Sequence, residues 1–360
     1  MTLLMPISLN SLADHPLFID SAVGKSLRMT PLGFIDVGAR GGAHDIVDPL
    51  AKLTAVLGFE PDQAECARLL SLPAVYEPWA AFHLEPVALA DKKAAAELVL
   101  LSAATNHSLL PPNTEFTQRY NMEKWQEIGR ESLRTELLDT VLFSQQLNQY
   151  SWGEFIKLDT QGTEYEILQG ATRMLNERTV AIVTEVAFCE LYKGQKLFSE
   201  IELMLREYGF SFYGFTKLHG RSCKLLDKQT HMTVERAFYA DAVFFKDPLP
   251  GAPQRKKVSD RGIYVLFSAA LLLGYYDFAL ELASKTWINN EKELLVIKAL
   301  ISQFATHAPD DTHLAVTALV KRVDEQPALA NVIVGGFVDQ RRRVCNYDDV
   351  LNVNVLPKTL

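Results

Sequence analysis

The sequence predicts an α/β fold, with a mostly parallel sheet wound by helices and a small all-helical domain after it. Three observations carry this. Short β-type runs alternate with helix-period runs from Gly33 to Phe245, the pattern of βαβ units. A glycine-rich turn, Gly38-Ala-Arg-Gly41-Gly42, follows the first of those runs. At Asp247–Lys257 (DPLPGAPQRKK) prolines, a glycine and basic residues break the pattern, and only helical periodicity follows.

In chain order, residues 1–30 form an N-terminal extension with one short helix around Pro16–Leu27. The main domain, 31–249, has strands predicted at Gly33–Val37, Ala55–Glu60, Leu84–Ala90, Glu97–Leu101, Phe155–Leu158, Val180–Val186, Phe210–Thr216 and Phe238–Phe245. Helix-period stretches at Asp62–Leu70, Thr163–Leu175 and Phe198–Tyr208 lie between them. Ser102–Tyr150 is a long polar insert, read as a functional loop or lid, with a short strand and a helix start in SLRTELLDTVL (Ser132–Leu142). The helical domain, 250–360, has helices at Ile263–Leu273, Asp277–Lys285, Lys292–Phe304 and Leu314–Val323 and no clean internal period.

Composition narrows the function classes. A chain of 360 residues with 48% hydrophobic and 22% charged residues is an ordinary globular protein. Its net charge of −8 speaks against nucleic acid as a partner, which calls for a basic footprint. The longest apolar run, Ile263–Tyr276, falls short of the ~20 residues a membrane span needs. The N-terminus lacks the basic region and cleavage site of a signal peptide. Cys66, Cys189, Cys223 and Cys345 lie far apart without CxxC spacing, as reduced, mostly buried thiols do. These readings place the protein in the cytoplasm.

The segment GFIDVGARGGAHD is a strand running into a glycine turn, where backbone can approach a ligand closely. The pattern is not GxGxxG, and glycine turns also serve packing alone. Glu60, in LGFEPD, ends the second strand 24 positions after Asp36, where doubly wound folds hydrogen-bond a ribose diol. Its competing reading is a rim salt bridge. Asp36 would repel a pyrophosphate but suits a ligand with a cationic part. S-adenosylmethionine has such a part and no phosphate, so the reading moves from NAD to a methyl donor.

These residues, together with VALAD (Val87–Asp91), LLDTVL, FIKLDTQGTEYEILQGA (Phe155–Ala171) and VTEVAFCELYKGQKLFSEI, resemble the FkbM-type S-adenosylmethionine-dependent methyltransferases. The resemblance runs from about Leu32 to Phe245, and its most specific piece is Lys-x-Asp-x-x-Gly-x-Glu-x-x-x-Leu-x-Gly-Ala. It implies a class I methyltransferase, Rossmann-like sheet of about seven strands, one of them antiparallel near the edge. The implied reaction is O-methylation of hydroxyls on sugars, glycans or polyketide-like products. The resemblance places Asp36, Gly38 and Gly41 at the methionine end; Arg40, between the glycines, reads as a rim residue, and Pro61 joins Glu60 among the cofactor-binding residues. Glu60 would take the ribose, Ala88 to Asp91 the adenine side, and Asp159 the neighbourhood of the sulfonium and acceptor. The family's usual Asp-x-Glu-Gly has Gln161 in place of its second acid, and no metal is assigned.

Methyl transfer to a hydroxyl releases a proton, so a base near the methyl is called for. Candidates are Asp159, at a strand's C-terminal end; Glu185, an acid in an otherwise apolar strand; and His107, in ATNHSLLPP. Their competing readings are a turn cap, a structural ion pair and a solvated loop histidine. His44 reads as a cap, and Lys157 as a charge that neutralises a nearby acid. Phe116, Tyr120 and Trp125 offer a stacking face for an acceptor or a satellite core under the insert. In FIKLDTQGTEYEILQGA, Thr163 and Glu166 have capping-box spacing and Glu164 falls in the first helical turn, leaving Asp159 as the reacting acid. Two other readings stand beside methyl transfer: an NAD-linked oxidoreductase, and a non-catalytic scaffold presenting the helical domain. The partner is a small-molecule or glycan acceptor, and the helical domain offers a surface for self-association.

Overall fold

A computed structural model describes residues 8–144, 147, 149–226, 233–305 and 309–342. Cys345, residues 1–7 of the extension and residues 343–360 of the helical domain lie outside them.

Among the described residues, ten strands form two sheets. In chain order they are β1 (Leu32–Val37), β2 (Thr54–Phe59), β3 (Ala81–Glu85), β4 (Ala88–Leu89), β5 (Ala94–Leu101), β6 (Glu127–Glu136), β7 (Phe155–Leu158), β8 (Ala181–Ala187), β9 (Ser211–Arg221) and β10 (Arg236–Phe245). Seven make the main sheet in the order β3-β2-β1-β7-β8-β10-β9. β1, β2, β3, β7 and β8 pair in parallel, and β10 runs antiparallel between β8 and β9. This is the α/β sheet, with its antiparallel strand near one edge, that the sequence implies.

β1, β2, β7 and β8 are buried along their whole length, because helices cover both faces. Such strands should be continuously apolar. Asp36, Lys157 and Glu185 break that rule, and the first two are register partners across β1 and β7.

The polar insert is folded. β6 pairs antiparallel with β5 and in parallel with β4 to make a three-stranded second sheet. β6 starts at Glu127, ahead of the strand predicted in SLRTE, because EIGRESLRTE leaves most of its side chains in solvent and so carries little apolar signal. The strand predicted at Leu84–Ala90 is two strands, since Pro86 separates β3 from β4 and the two join different sheets. The helix predicted at Thr163–Leu175 is also two, Glu164–Gln169 and Thr172–Glu177. Asp139 restarts the second by accepting the amides of Arg173 (2.7 Å) and Met174 (2.9 Å).

By internal contacts the chain divides into two compact units. The larger comprises Ile7–Arg221 and Arg236–Ile301, so it contains both sheets and the helices Asp260–Leu272 and Tyr276–Thr286. Arg261, on the first of these helices, makes a two-pronged ion pair with buried Glu154 at 2.8 Å on each arm. It also donates to the carbonyls of Thr30 and Pro31, and Glu154 accepts the amide of Gly33 at the start of β1. In the smaller unit, helices Pro309–Glu325 and Ala330–Arg342 pack on each other; the second was not foreseen. Among the described residues no helix is long and apolar enough to cross a membrane. Cys66 and Cys189 are buried free thiols, and Cys223 is partly exposed.

Candidate active site

Parallel sheets bind ligands beyond the C-terminal ends of their strands. Two adjoining cavities open there.

The first, of about 220 Å³, lies over the ends of β1, β2 and β7. Its floor is the glycine turn, where Gly38, Gly41 and Gly42 have φ of 88°, 90° and 112°. A Cβ on Gly38 would stand 2.1 Å from the carbonyl oxygen of Asp159, so only glycine lets the turns after β1 and β7 meet. The turn's amides are spent inside the protein. Gly38 and Ala39 both donate to the Phe59 carbonyl at 3.0 Å, Gly41 donates to Glu65 at 3.1 Å, and Gly42 to Ala39 at 3.1 Å. A pyrophosphate would need those groups. The segment that follows is a 3-10 helix, Asp45–Leu53, capped by the His44 side chain.

Glu60 lies on this cavity's wall, buried. Its Oε1 accepts the Asp62 amide at 3.0 Å, and among the described residues no hydrogen bond reaches Oε2. Burial raises the Glu60 pKa, and the neighbouring Arg40 opposes the rise. Arg40 itself lies on the rim, 3.4 Å from Asp62. Pro61, Val87, Ala88, Leu89, Leu98 and Ile167 give the cavity an apolar side, whereas Asp91 does not line it.

Asp36 is beneath the cavity, only 2% exposed. Its Oδ2 accepts the His44 amide at 2.8 Å, tying the glycine turn down, and among the described residues its Oδ1 has no partner. Burial pushes its pKa up to about 6, against the pull of Lys157.

The second cavity shares Thr105, Asp159 and Gln161 with the first. Its other walls include Trp125, Glu185, His219, Arg221, Tyr239 and Asp241. Asp159 is held at both oxygens: Lys157 Nζ lies 3.2 Å from Oδ2, and Gln161 Nε2 donates to Oδ1 at 2.8 Å. Gln161 takes a left-handed φ of 59°. Its Oε1 is 2.9 Å from the Tyr192 hydroxyl, and its carbonyl accepts from Ser108 at 2.7 Å.

Glu185 is different. It is 9% exposed and, among the described residues, makes no hydrogen bond or ion pair. Asp241 is its register partner on β10, an acid directly opposite an acid. Burial raises the Glu185 pKa well above the usual carboxylate range, and Asp159, Glu164 and Asp241 add to the rise.

The turn after β7 corrects the capping-box reading. Thr163 gives no side-chain cap, since its hydroxyl bonds Thr160. Glu164 closes the turn instead, accepting the amides of Thr160 (2.7 Å) and Gly162 (3.1 Å). Glu164 is buried, and one of its oxygens lies within 4.8 Å of one from Asp159 and one from Glu185.

The structure therefore brings Asp159 and Glu185 to one cavity. His107 is on the wall of the other: its Nδ1 accepts the Leu101 amide at 3.1 Å, and burial, then Arg40, lowers its pKa. Phe116 and Tyr120 pack on Phe238 as a satellite core, while Trp125 stacks against Tyr192 and faces the second cavity. Sequence reasoning missed Asp241, although an acid in the apolar run Phe238–Phe245 is the same signal that marked Glu185.

The model of the methyltransferase FkbM domain family matches residues 36–212. No curated protein matches the chain. Among solved structures, methyltransferase FkbM from Methylobacillus flagellatus KT is similar at 12% identity and a TM-score of 0.34, over 60% of this chain and 43% of that one. M. capricolum TrmK in complex with S-adenosyl-homocysteine is similar at 8% identity and a TM-score of 0.31, over 78% and 94%. Magnesium protoporphyrin IX methyltransferase from Synechocystis PCC 6803, with bound S-adenosylmethionine, is similar at 10% identity and a TM-score of 0.28, over 64% and 78%. At these levels the solved structures assign no residue of this chain a role.

Proposed function

Residues 36–212 form a methyltransferase domain of the FkbM family, and from this premise we propose that the protein moves a methyl group from S-adenosylmethionine to a hydroxyl of a sugar, glycan or polyketide-like acceptor. The observation that carries the reading is the pair of adjoining cavities meeting at Asp159 and Gln161, with Glu185 unpartnered on the second.

The first cavity fits the methyl donor. Glu60 Oε2 is free to accept ribose hydroxyls, Val87 to Leu89 give the adenine an apolar wall, and the Gly38 turn leaves room for the methionine end. The buried charge of Asp36 favours a cationic ligand above it. The spent amides of the glycine turn weigh against NAD. When bound, S-adenosylmethionine supplies a sulfonium-activated methyl group.

The chain's residues do the rest. The second cavity holds the acceptor oxygen in line with the methyl, an arrangement worth several kcal/mol. Asp159 is fixed by Lys157 and Gln161, so it orients the acceptor hydroxyl. Glu185, with no competing partner, receives the proton as the new C–O bond forms and the C–S bond breaks. His107 belongs with the donor.

Calorimetric titration with S-adenosylhomocysteine, S-adenosylmethionine and NAD tests the donor, and methyl transfer to a panel of glycans tests the acceptor. Binding of NAD alone would overturn the reading. Glu60→Ala is expected to weaken S-adenosylhomocysteine binding by about ten- to a hundredfold, the loss of hydrogen bonds to a charged group worth about 1.5–3 kcal/mol. Unchanged affinity in the same titration would remove Glu60 from the site.

Asp36 sets a pH dependence. Protonation near its raised pKa of about 6 removes a charge that the donor's ammonium favours. Affinity for S-adenosylhomocysteine therefore falls as pH drops through that value. Asp36→Asn keeps an oxygen for the His44 amide but carries no charge, so titrations of the variant at a series of pH values should lose that fall.

A further inference from the structure

We propose that Asp159, Glu164 and Glu185 hold one hard divalent cation, Mg²⁺ or Mn²⁺, at the junction of the two cavities. Each offers one carboxylate oxygen, and the three atoms lie within 4.8 Å of one another. They come from three places, the end of β7, the first turn of the following helix and the middle of β8, so the fold itself brings them together.

The oxygens have room for an ion. A carboxylate oxygen accepts at two lone pairs. Asp159 spends one at each oxygen, on Gln161 and on Lys157. Glu164 Oε2 accepts the Gly162 amide at 3.1 Å.

Glu185 is the independent observation. Its side chain is only 9% exposed and faces a polar cavity, yet among the described residues it makes no hydrogen bond or ion pair. Its register partner Asp241 lines the same cavity and adds like charge. Lys157 opposes the rise in the Glu185 pKa, but its ion pair is with Asp159.

The donor set is all oxygen, which selects a hard cation over zinc or copper. With three protein ligands, the remaining positions fall to water or to acceptor oxygens, as is common for Mg²⁺. Glu185 ligates through one oxygen and keeps the other for the acceptor's proton. The ion's binding stands apart from the methyl-transfer reading; only its use in holding the acceptor rests on that reading.

The test is a Mn²⁺ titration of the full chain followed by electron paramagnetic resonance, with S-adenosylhomocysteine titrated into the same preparations. One Mn²⁺ per chain is expected, displaced by Mg²⁺, with affinity lowered at least tenfold in Glu185→Gln. No binding at millimolar Mn²⁺, or equal binding in wild type and Glu185→Gln, overturns the ion site. Should Glu185→Gln not fold, a Mn²⁺-dependent rise in wild-type Tm that Asp159→Asn abolishes supports the site, and no rise overturns it. Mn²⁺ binding without S-adenosylhomocysteine binding would leave the ion site and sink the methyl-transfer reading; the reverse result would do the opposite.

Discussion

Glu185→Gln is expected to lower kcat for methyl transfer by about 10²–10⁴-fold, the usual contribution of a positioned base. Its affinity for S-adenosylhomocysteine should stay near wild type. The substitution keeps the side chain's shape inside β8, removes its ability to take a proton and weakens its hold on a cation, while leaving the donor cavity untouched, so loss of rate and retention of S-adenosylhomocysteine belong together. Asp159 is held by Lys157 and Gln161 in its orienting role and does not replace Glu185 as the base. Burial and the neighbouring acids hold the Glu185 carboxyl protonated well above the usual range. Wild-type kcat should therefore rise with pH as the group ionises, and the variant's profile should be flat there. Steady-state rates over a pH series, with calorimetry on the same samples, check this. A variant that turns over within a factor of a few of wild type would show that the acceptor's proton leaves by another route.

The second large effect is on stability. Arg261→Ala is expected to cost about 3–5 kcal/mol, the penalty for leaving one member of a buried ion pair without its partner. Glu154 is the member left behind, buried, with only the Gly33 amide to satisfy it. Arg261 also closes off the carbonyls of Thr30 and Pro31, so its removal loosens the entry to β1 as well. Denaturant unfolding should show a lower midpoint. Arg261→Lys should rescue only part of it, since an ammonium cannot make the two-pronged contact. A midpoint equal to wild type would mean that water replaces the guanidinium at no cost.

Much of the fold is legible in local pattern. The runs LGFIDV, TAVLGF and AIVTEVA read as strands because strands buried on both faces are apolar throughout. β6 is not legible in the same way. Its side chains are mostly in solvent, and its place as the middle strand of the second sheet comes from backbone pairing, which leaves no residue signature. The break between Glu164–Gln169 and Thr172–Glu177 depends on the Asp139 carboxylate, 34 positions before Arg173 in the chain.

For the site, the sequence by itself marked the chemistry-bearing positions. It singled out Asp36 and Glu185 as acids inside apolar strands, and Glu60 and Asp159 as acids at the strand ends where such sheets bind ligands. Only the tertiary structure decided what each acid faces. It set Asp36 under the glycine turn, turned Glu164 into the closure of the β7 turn and put Glu185 opposite Asp241 in the second cavity. The physical reason is that residue type fixes what a group can do, whereas strand order and register, which join residues far apart in the chain, fix which groups share a cavity and compete for the same charge.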